Sequence, residues 1–125
     1  MKKILIMEDE VNLLKSIRIV LETEGYEVTT ATDGVEGCEI FDNGDFDMVI
    51  TDILMPDKDG IKTIKHIRKA SQDIPILAIS GAGQAGAVNN LSAAMMMGAT
   101  ETLAKPFEKP ALVGAVRACL KVKMY

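Results

Sequence analysis

The chain is expected to fold as one α/β domain in which a five-stranded, doubly wound parallel sheet carries five helices on its two faces. Two observations lead there. Five short apolar runs alternate with five longer stretches of helical period along the 125 residues. The first, third and fourth runs are also apolar at nearly every position instead of every second one. Strands separated by helical crossovers pair in parallel, and strands covered on both faces lose the polar-apolar alternation of a half-solvated sheet. The length suits a single core without disulfide or metal staples, so residues 1–125 are taken as one domain.

The first strand is Ile4-Leu5-Ile6-Met7, followed by a helix with Leu13, Ile17, Val20 and Leu21 on one face and Gly25 as its stop. Residues 27–31 form a weaker strand. Val35, Cys38 and Phe41 mark the core face of the next helix, which Asn43-Gly44 breaks. Met48-Val49-Ile50-Thr51 is the third strand, and Ile61, Ile64 and Ile67 give the third helix its apolar stripe. Residues 75–79 form the fourth strand, with Pro75 suited to an edge or first position because it has no N–H to donate. A Gly/Ala-rich loop leads to a helix around residues 88–97. Residues 101–104 form the last strand, and Leu112, Val116 and Leu120, spaced four apart, mark the last helix.

Composition narrows the function classes. Apolar residues make up 48% of the chain, which fits a packed globule and not a disordered segment. The net charge is −4 with acidic and basic residues interspersed, so the domain lacks the basic footprint needed for direct nucleic-acid binding. Cys38 and Cys119 lie far apart inside apolar patterns without metal-ligand spacing, and read as reduced core residues of a cytoplasmic protein. The N-terminal run opens like a signal peptide but stops at Glu8-Asp9-Glu10, and nothing later approaches a membrane span.

In open α/β sheets, ligands bind beyond the carboxyl ends of the strands, at the point where strand order reverses. Glu8 and Asp9 follow the first strand, Asp52 ends the third, Ser80 ends the fourth and Lys105 follows the fifth. Each is ordinary alone; together they gather three carboxylates, a hydroxyl and an ammonium on one sheet edge. Converging carboxylates repel one another unless a cation joins them, and an all-oxygen pocket suits Mg²⁺ completed by a substrate phosphate. Ser80 and Lys105 suit phosphoryl oxygens, and the nucleophile available is a carboxylate, which can form an acyl phosphate. Phosphoryl transfer asks mainly for positioning and charge neutralisation, and this set supplies both.

At these residues the chain resembles the receiver domains of two-component response regulators over its whole length. Glu8-Asp9 stands at the family's acidic pair, and Asp52-Ile53-Leu54-Met55-Pro56-Asp57-Lys58-Asp59-Gly60 matches its D-x-x-M-P-x-x-D-G. Ser80 stands at its Ser/Thr position and Lys105-Pro106-Phe107 matches its K-P-F. The resemblance implies a flavodoxin-like strand order, 2-1-3-4-5, and phosphorylation at Asp52 by a histidine kinase or histidine phosphotransfer protein. It implies Mg²⁺ held by Asp9, Asp52 and the backbone carbonyl of Leu54, with Glu8 acting mostly through water. Ser80 and Lys105 would contact the phosphoryl group, after a cis peptide bond before Pro106. The receiver would catalyse its own phosphorylation and dephosphorylation, and signal to a downstream protein or to its own output domain. One position departs from the pattern. Three residues before the lysine the family commonly has Tyr or Phe, and this chain has Thr102. The switch formed by Ser80 and the residue at 102 must therefore work differently, and the glycine-rich segment 81–86 is the expected moving part.

Three further features need weighing. Gly81-Ala82-Gly83-Gln84-Ala85-Gly86 spells a dinucleotide fingerprint, but it follows the fourth strand instead of opening the first βα unit, so it reads as a loop that follows Ser80. His66, the single histidine, reads as a residue of a solvated helix face. Met95-Met96-Met97 cannot all face a core, because helical neighbours point about 100° apart. The surplus is either adaptable filler or part of a partner surface.

Overall fold

The computed structural model describes residues 1–53, 60–81 and 87–121. Strands and helices alternate strictly: β1 (Lys3–Met7), α1 (Val11–Thr23), β2 (Glu27–Ala31), α2 (Gly34–Asn43), β3 (Met48–Asp52), α3 (Gly60–Ala70), β4 (Ile76–Gly81), α4 (Ala87–Met97), β5 (Glu101–Lys105) and α5 (Lys109–Lys121). The strands pair in parallel in the order β2-β1-β3-β4-β5, as expected from the alternation and the resemblance. Strand order reverses between β1 and β3, which opens the crevice beyond their carboxyl ends.

The central strands owe their continuous apolarity to burial on two sides. Leu5, Met7, Val49 and Ala78 pack with Ile64 and Ile67 of α3 and Ala94 of α4. Their neighbours Ile4, Ile6, Met48, Ile50, Leu77 and Ile79 point the other way, against α1 and α5, where Ile17, Leu21, Leu112 and Val116 meet them. Each fully buried Leu or Ile side chain contributes about 1.5–3 kcal/mol, so these two layers are the main source of stability. Cys38 and Cys119 are both buried and unpaired. Burial, aided by the Glu101 charge, pushes the Cys119 thiol up to about 12, which leaves it unreactive.

Local signals explain most boundaries. α1 stops where Gly25 takes φ 96°, a conformation that costs other residues. Asp33 caps α2 by accepting the Glu36 N–H at 2.7 Å, and Glu36 returns the contact by accepting the Thr32 N–H at 2.9 Å. β4 begins at Ile76 and not at Pro75; Pro75 still extends the ladder because its carbonyl accepts the Val49 N–H at 3.0 Å.

One residue of the face expected for α2 misses the core. Cys38 is buried and Phe41 packs partly buried as expected, but Val35 is exposed and Gly34 and Gly37 are buried in its stead. The cause is close approach: a Cβ at Gly37 would overlap the Met7 side chain, so the helix lies on β1 through its smallest residues and turns Val35 outward.

Arg68, near the end of α3, is the main polar tie on this side. Its Nε and one terminal nitrogen donate to the Gly98 carbonyl at 2.9 and 2.7 Å. The other terminal nitrogen donates to the carbonyls of Ser71 at 3.2 Å and Ile74 at 2.7 Å. One guanidinium thereby joins the end of α3, the entry to β4 and the turn after α4. Its burial lowers the Arg68 pKa, and the Asp73 charge opposes that shift. Replacing it with Met should keep the stem packing and strand three part-buried carbonyls. Urea unfolding of Arg68→Met is expected to show a loss of roughly 2–3 kcal/mol. A loss below about 0.5 kcal/mol, the level of an ordinary surface substitution, would contradict this role.

Candidate functional site

The alternation that builds the core also aims the site residues. Ile4 and Ile6 of β1 face α1 and α5, and Glu8 continues their phase one step past the strand. Met48 and Ile50 are followed in the same phase by Asp52, and Leu103 by Lys105. The register sets Met7 opposite Thr51, Asp52 opposite Ile79, and Gly81 opposite Lys105, so the ends of β1, β3, β4 and β5 meet at one edge.

There Lys105 Nζ lies 2.7 Å from Glu8 Oε1 and 3.0 Å from Asp52 Oδ2. Glu8 is completely buried and Asp52 nearly so, while Asp9 is exposed. One carboxylate oxygen from each of the three lies within 4.8 Å of the others. Ser80, directly after Ile79, is fully buried, and its Oγ has no hydrogen-bond partner among the described residues. Gly60 completes the frame. Its N–H donates to the Ile53 carbonyl at 2.7 Å, and a Cβ there would overlap the Asp52 carbonyl and the Ile53 Cα. Glycine is what lets α3 begin directly against the end of β3. The Lys105–Pro106 peptide bond is cis, as the resemblance implied.

Glu8 makes two contacts that the sequence did not suggest: its Oε1 lies against Lys105 Nζ, and its Oε2 accepts the Glu10 N–H at 3.0 Å, just ahead of α1. Burial raises the Glu8 pKa to about 7, with the Asp52 charge adding to the rise, while Lys105 and the Glu10 amide oppose it. The Lys105 pKa is also raised. Burial alone would lower it, but the hydrogen bonds and charges of Glu8 and Asp52 outweigh that effect. The phase of the strand was the available signal: Glu8 falls on the inward side of the run that begins at Ile4.

Three carboxylates thus face one ammonium. That donor set and charge imbalance fit a hard divalent cation, which keeps oxygen ligands and water. Leu54, assigned a carbonyl ligand, lies outside the described residues, as do Ala82 to Gly86 of the glycine-rich loop. Thr102 lies opposite Ala78, half-buried, and offers no ring to follow a motion of Ser80. His66 is not simply solvated: its Nε2 lies 2.8 Å from Asp42 Oδ1, which bridges α3 to α2. Met95, Met96 and Met97 are 49%, 85% and 38% exposed, so the run is not core filler.

The Glu8 shift has a defined pH signature. Its folded pKa lies above the unfolded value near 4.5, so the folded state holds this proton more tightly. The corresponding stability is fully present below pH about 4.5 and is lost as pH rises to about 7, with a slope of at most roughly 1.4 kcal/mol per pH unit. Metal-free protein should therefore lose stability across that window, and Glu8→Gln should show a flatter profile in denaturant unfolding at pH 5, 6 and 7. Equal slopes would count against the assignment.

Comparison with known proteins agrees with this geometry. Residues 4–117 match the response regulator receiver domain family. The chain is 33% identical over 116 residues to the transcriptional regulatory protein DltR of Streptococcus agalactiae, covering 92% of this chain and 50% of that protein. It is 34% identical over 120 residues to the probable transcriptional regulator ycf27 of Cyanophora paradoxa, covering 96% of this chain and 48% of that one. The chain therefore spans about half the length of the curated relatives it matches. Among solved structures, a response regulator receiver domain protein from Clostridium thermocellum superposes with a TM-score of 0.88 at 34% identity, over 96% of this chain and 94% of that one. With the family pattern across nearly all of the sequence and the acidic edge in place, the chain belongs to the receiver domains of response regulators, the phosphorylation-dependent modules of two-component signalling.

Proposed function

We propose that residues 1–125 form one receiver domain that accepts a phosphoryl group on Asp52 from a histidine kinase or histidine phosphotransfer protein. The observation that supports this most directly is Asp52 itself. It is a nearly buried carboxylate at the end of β3, 3.0 Å from the Lys105 ammonium and beside two further carboxylates. In the transfer, an Asp52 carboxylate oxygen bonds to phosphorus as the bond from phosphorus to the donor histidine nitrogen breaks. Lys105 exchanges part of its contact with Asp52 for a phosphoryl oxygen. Ser80 supplies a hydroxyl that gains a charge-assisted hydrogen bond worth roughly 1.5–3 kcal/mol. Attack of water on the acyl phosphate later restores the carboxylate, so the domain catalyses both its own phosphorylation and its dephosphorylation.

Mg²⁺ would be held by Asp9, Asp52 and the Leu54 carbonyl, with Glu8 acting mostly through water, and it would supply neutralisation of phosphoryl and carboxylate charge. The output is a downstream protein or an output domain joined to this one; the curated relatives, about twice as long, carry names of transcriptional regulators. The domain itself makes no direct contact with nucleic acid or membrane. No helix among the described residues is long and apolar enough to span a bilayer, and the reading places the protein in the cytoplasm.

Incubation with acetyl phosphate and Mg²⁺ should add one phosphate by intact mass, and Asp52→Asn should add none. Full labelling of that variant, or no labelling of the parent chain, would overturn the reading. The conformational response is expected in residues 81–90, because Thr102 offers no ring to rotate and its branched side chain has few χ1 options. Hydrogen exchange should change there on phosphorylation and stay nearly constant over residues 100–104. The opposite distribution would refute this form of the switch.

A further inference from the structure

We propose that the α2–α3 face is a self-complementary docking surface for a second copy of this chain. The two helices pack side by side on one face of the sheet, and their outer ridges carry opposite charge. On α2 the exposed acids are Glu36, Glu39 and Asp42; on α3 the exposed bases are Lys62, Lys65 and Lys69, beside His66 in a shallow depression. The ridges touch through a side-chain contact of His66 Nε2 with Asp42 Oδ1, at 2.8 Å. Glu39, Lys65 and Lys69 have no ion-pair partner among the described residues, although they flank that contact in the sequence. Each ridge thus carries exposed charge, at Glu39 on α2 and at Lys65 and Lys69 on α3, that no ion pair with the other ridge takes up among the described residues.

The symmetry of the pattern selects the occupant. A two-fold axis lying in the interface and running along the helices exchanges α2 with α3, so each acidic ridge meets the partner's basic ridge. An axis across the helices would set acid on acid and base on base. The His66–Asp42 contact fixes the relative height of α2 and α3, and from it Glu39 and Lys65 lie within about one helical turn of the same level. The first arrangement therefore matches each ridge to its complement along its length. It also covers Val35, the exposed apolar residue one turn before Glu39 on the same side of α2. An acidic partner would meet only the lysine ridge and be repelled by the acidic one, and the chain as a whole carries −4.

Exposed pairs are individually weak, so the dimer should have a dissociation constant on the order of 0.1–1 mM in dilute salt. It should weaken about tenfold between about 50 and 500 mM NaCl, because screening acts directly on such pairs. Sedimentation equilibrium on the intact chain tests this. Lys65→Glu and Glu39→Lys should each leave a monomer, and the double variant Glu39→Lys/Lys65→Glu should regain the dimer, since the exchange restores complementarity across the axis. Circular dichroism confirms that these surface variants fold. A monomer at all concentrations reached, a dimer indifferent to both single reversals, or a double variant that stays monomeric would overturn the proposal. So would a monomer that binds heparin through Lys65 and Lys69, which would assign the ridge to a polyanion.

Discussion

The structure turns on a single electrostatic constraint: three carboxylates converge at the end of a buried parallel sheet, and one ammonium answers the two buried ones. Glu8 has no solvent around it, and Lys105 reaches both Glu8 and Asp52 within 3.0 Å. A buried carboxylate without such a partner would be strongly penalised, and a second cation would relieve what the lysine leaves uncompensated. The raised proton affinity of Glu8 expresses the same conflict in the absence of metal. A site that is electrostatically unsatisfied before its ligands arrive is disposed to respond when a cation and a phosphoryl group enter.

The scaffold keeps those groups together by letting elements approach more closely than ordinary side chains allow. Gly60 brings the start of α3 onto the backbone of Asp52 and Ile53, and Gly37 seats α2 on Met7, the residue before Glu8. Around this rigid side, Arg68 ties the end of α3 to the turn after α4 and to the entry of β4. The far end of α4 is thus anchored. The run from Gly81 to Thr100 contains no charged residue, and the three methionines of α4 lie exposed. That composition suits a surface whose contacts depend on shape and are easily repacked.

Sequence by itself determined the architecture and which strand-end residues come together at one edge. Uninterrupted apolar runs alternating with helical periods admit little besides a covered parallel sheet, and the residues past each strand end can only gather on one edge. Glu8, Asp9, Asp52, Ser80 and Lys105 were legible for that reason, and the D-x-x-M-P-x-x-D-G and K-P-F stretches added their family meaning. Tertiary structure decided what depends on distances between elements. It made Glu8 a buried direct partner of Lys105, because a strand's phase shows direction but not depth. It turned Val35 outward, because helical periodicity gives a stripe but not which neighbour comes close enough to demand glycine. It paired His66 with Asp42 and left Met95, Met96 and Met97 at the surface, because the packing of one helix on the next is a property of two segments and is written in neither alone.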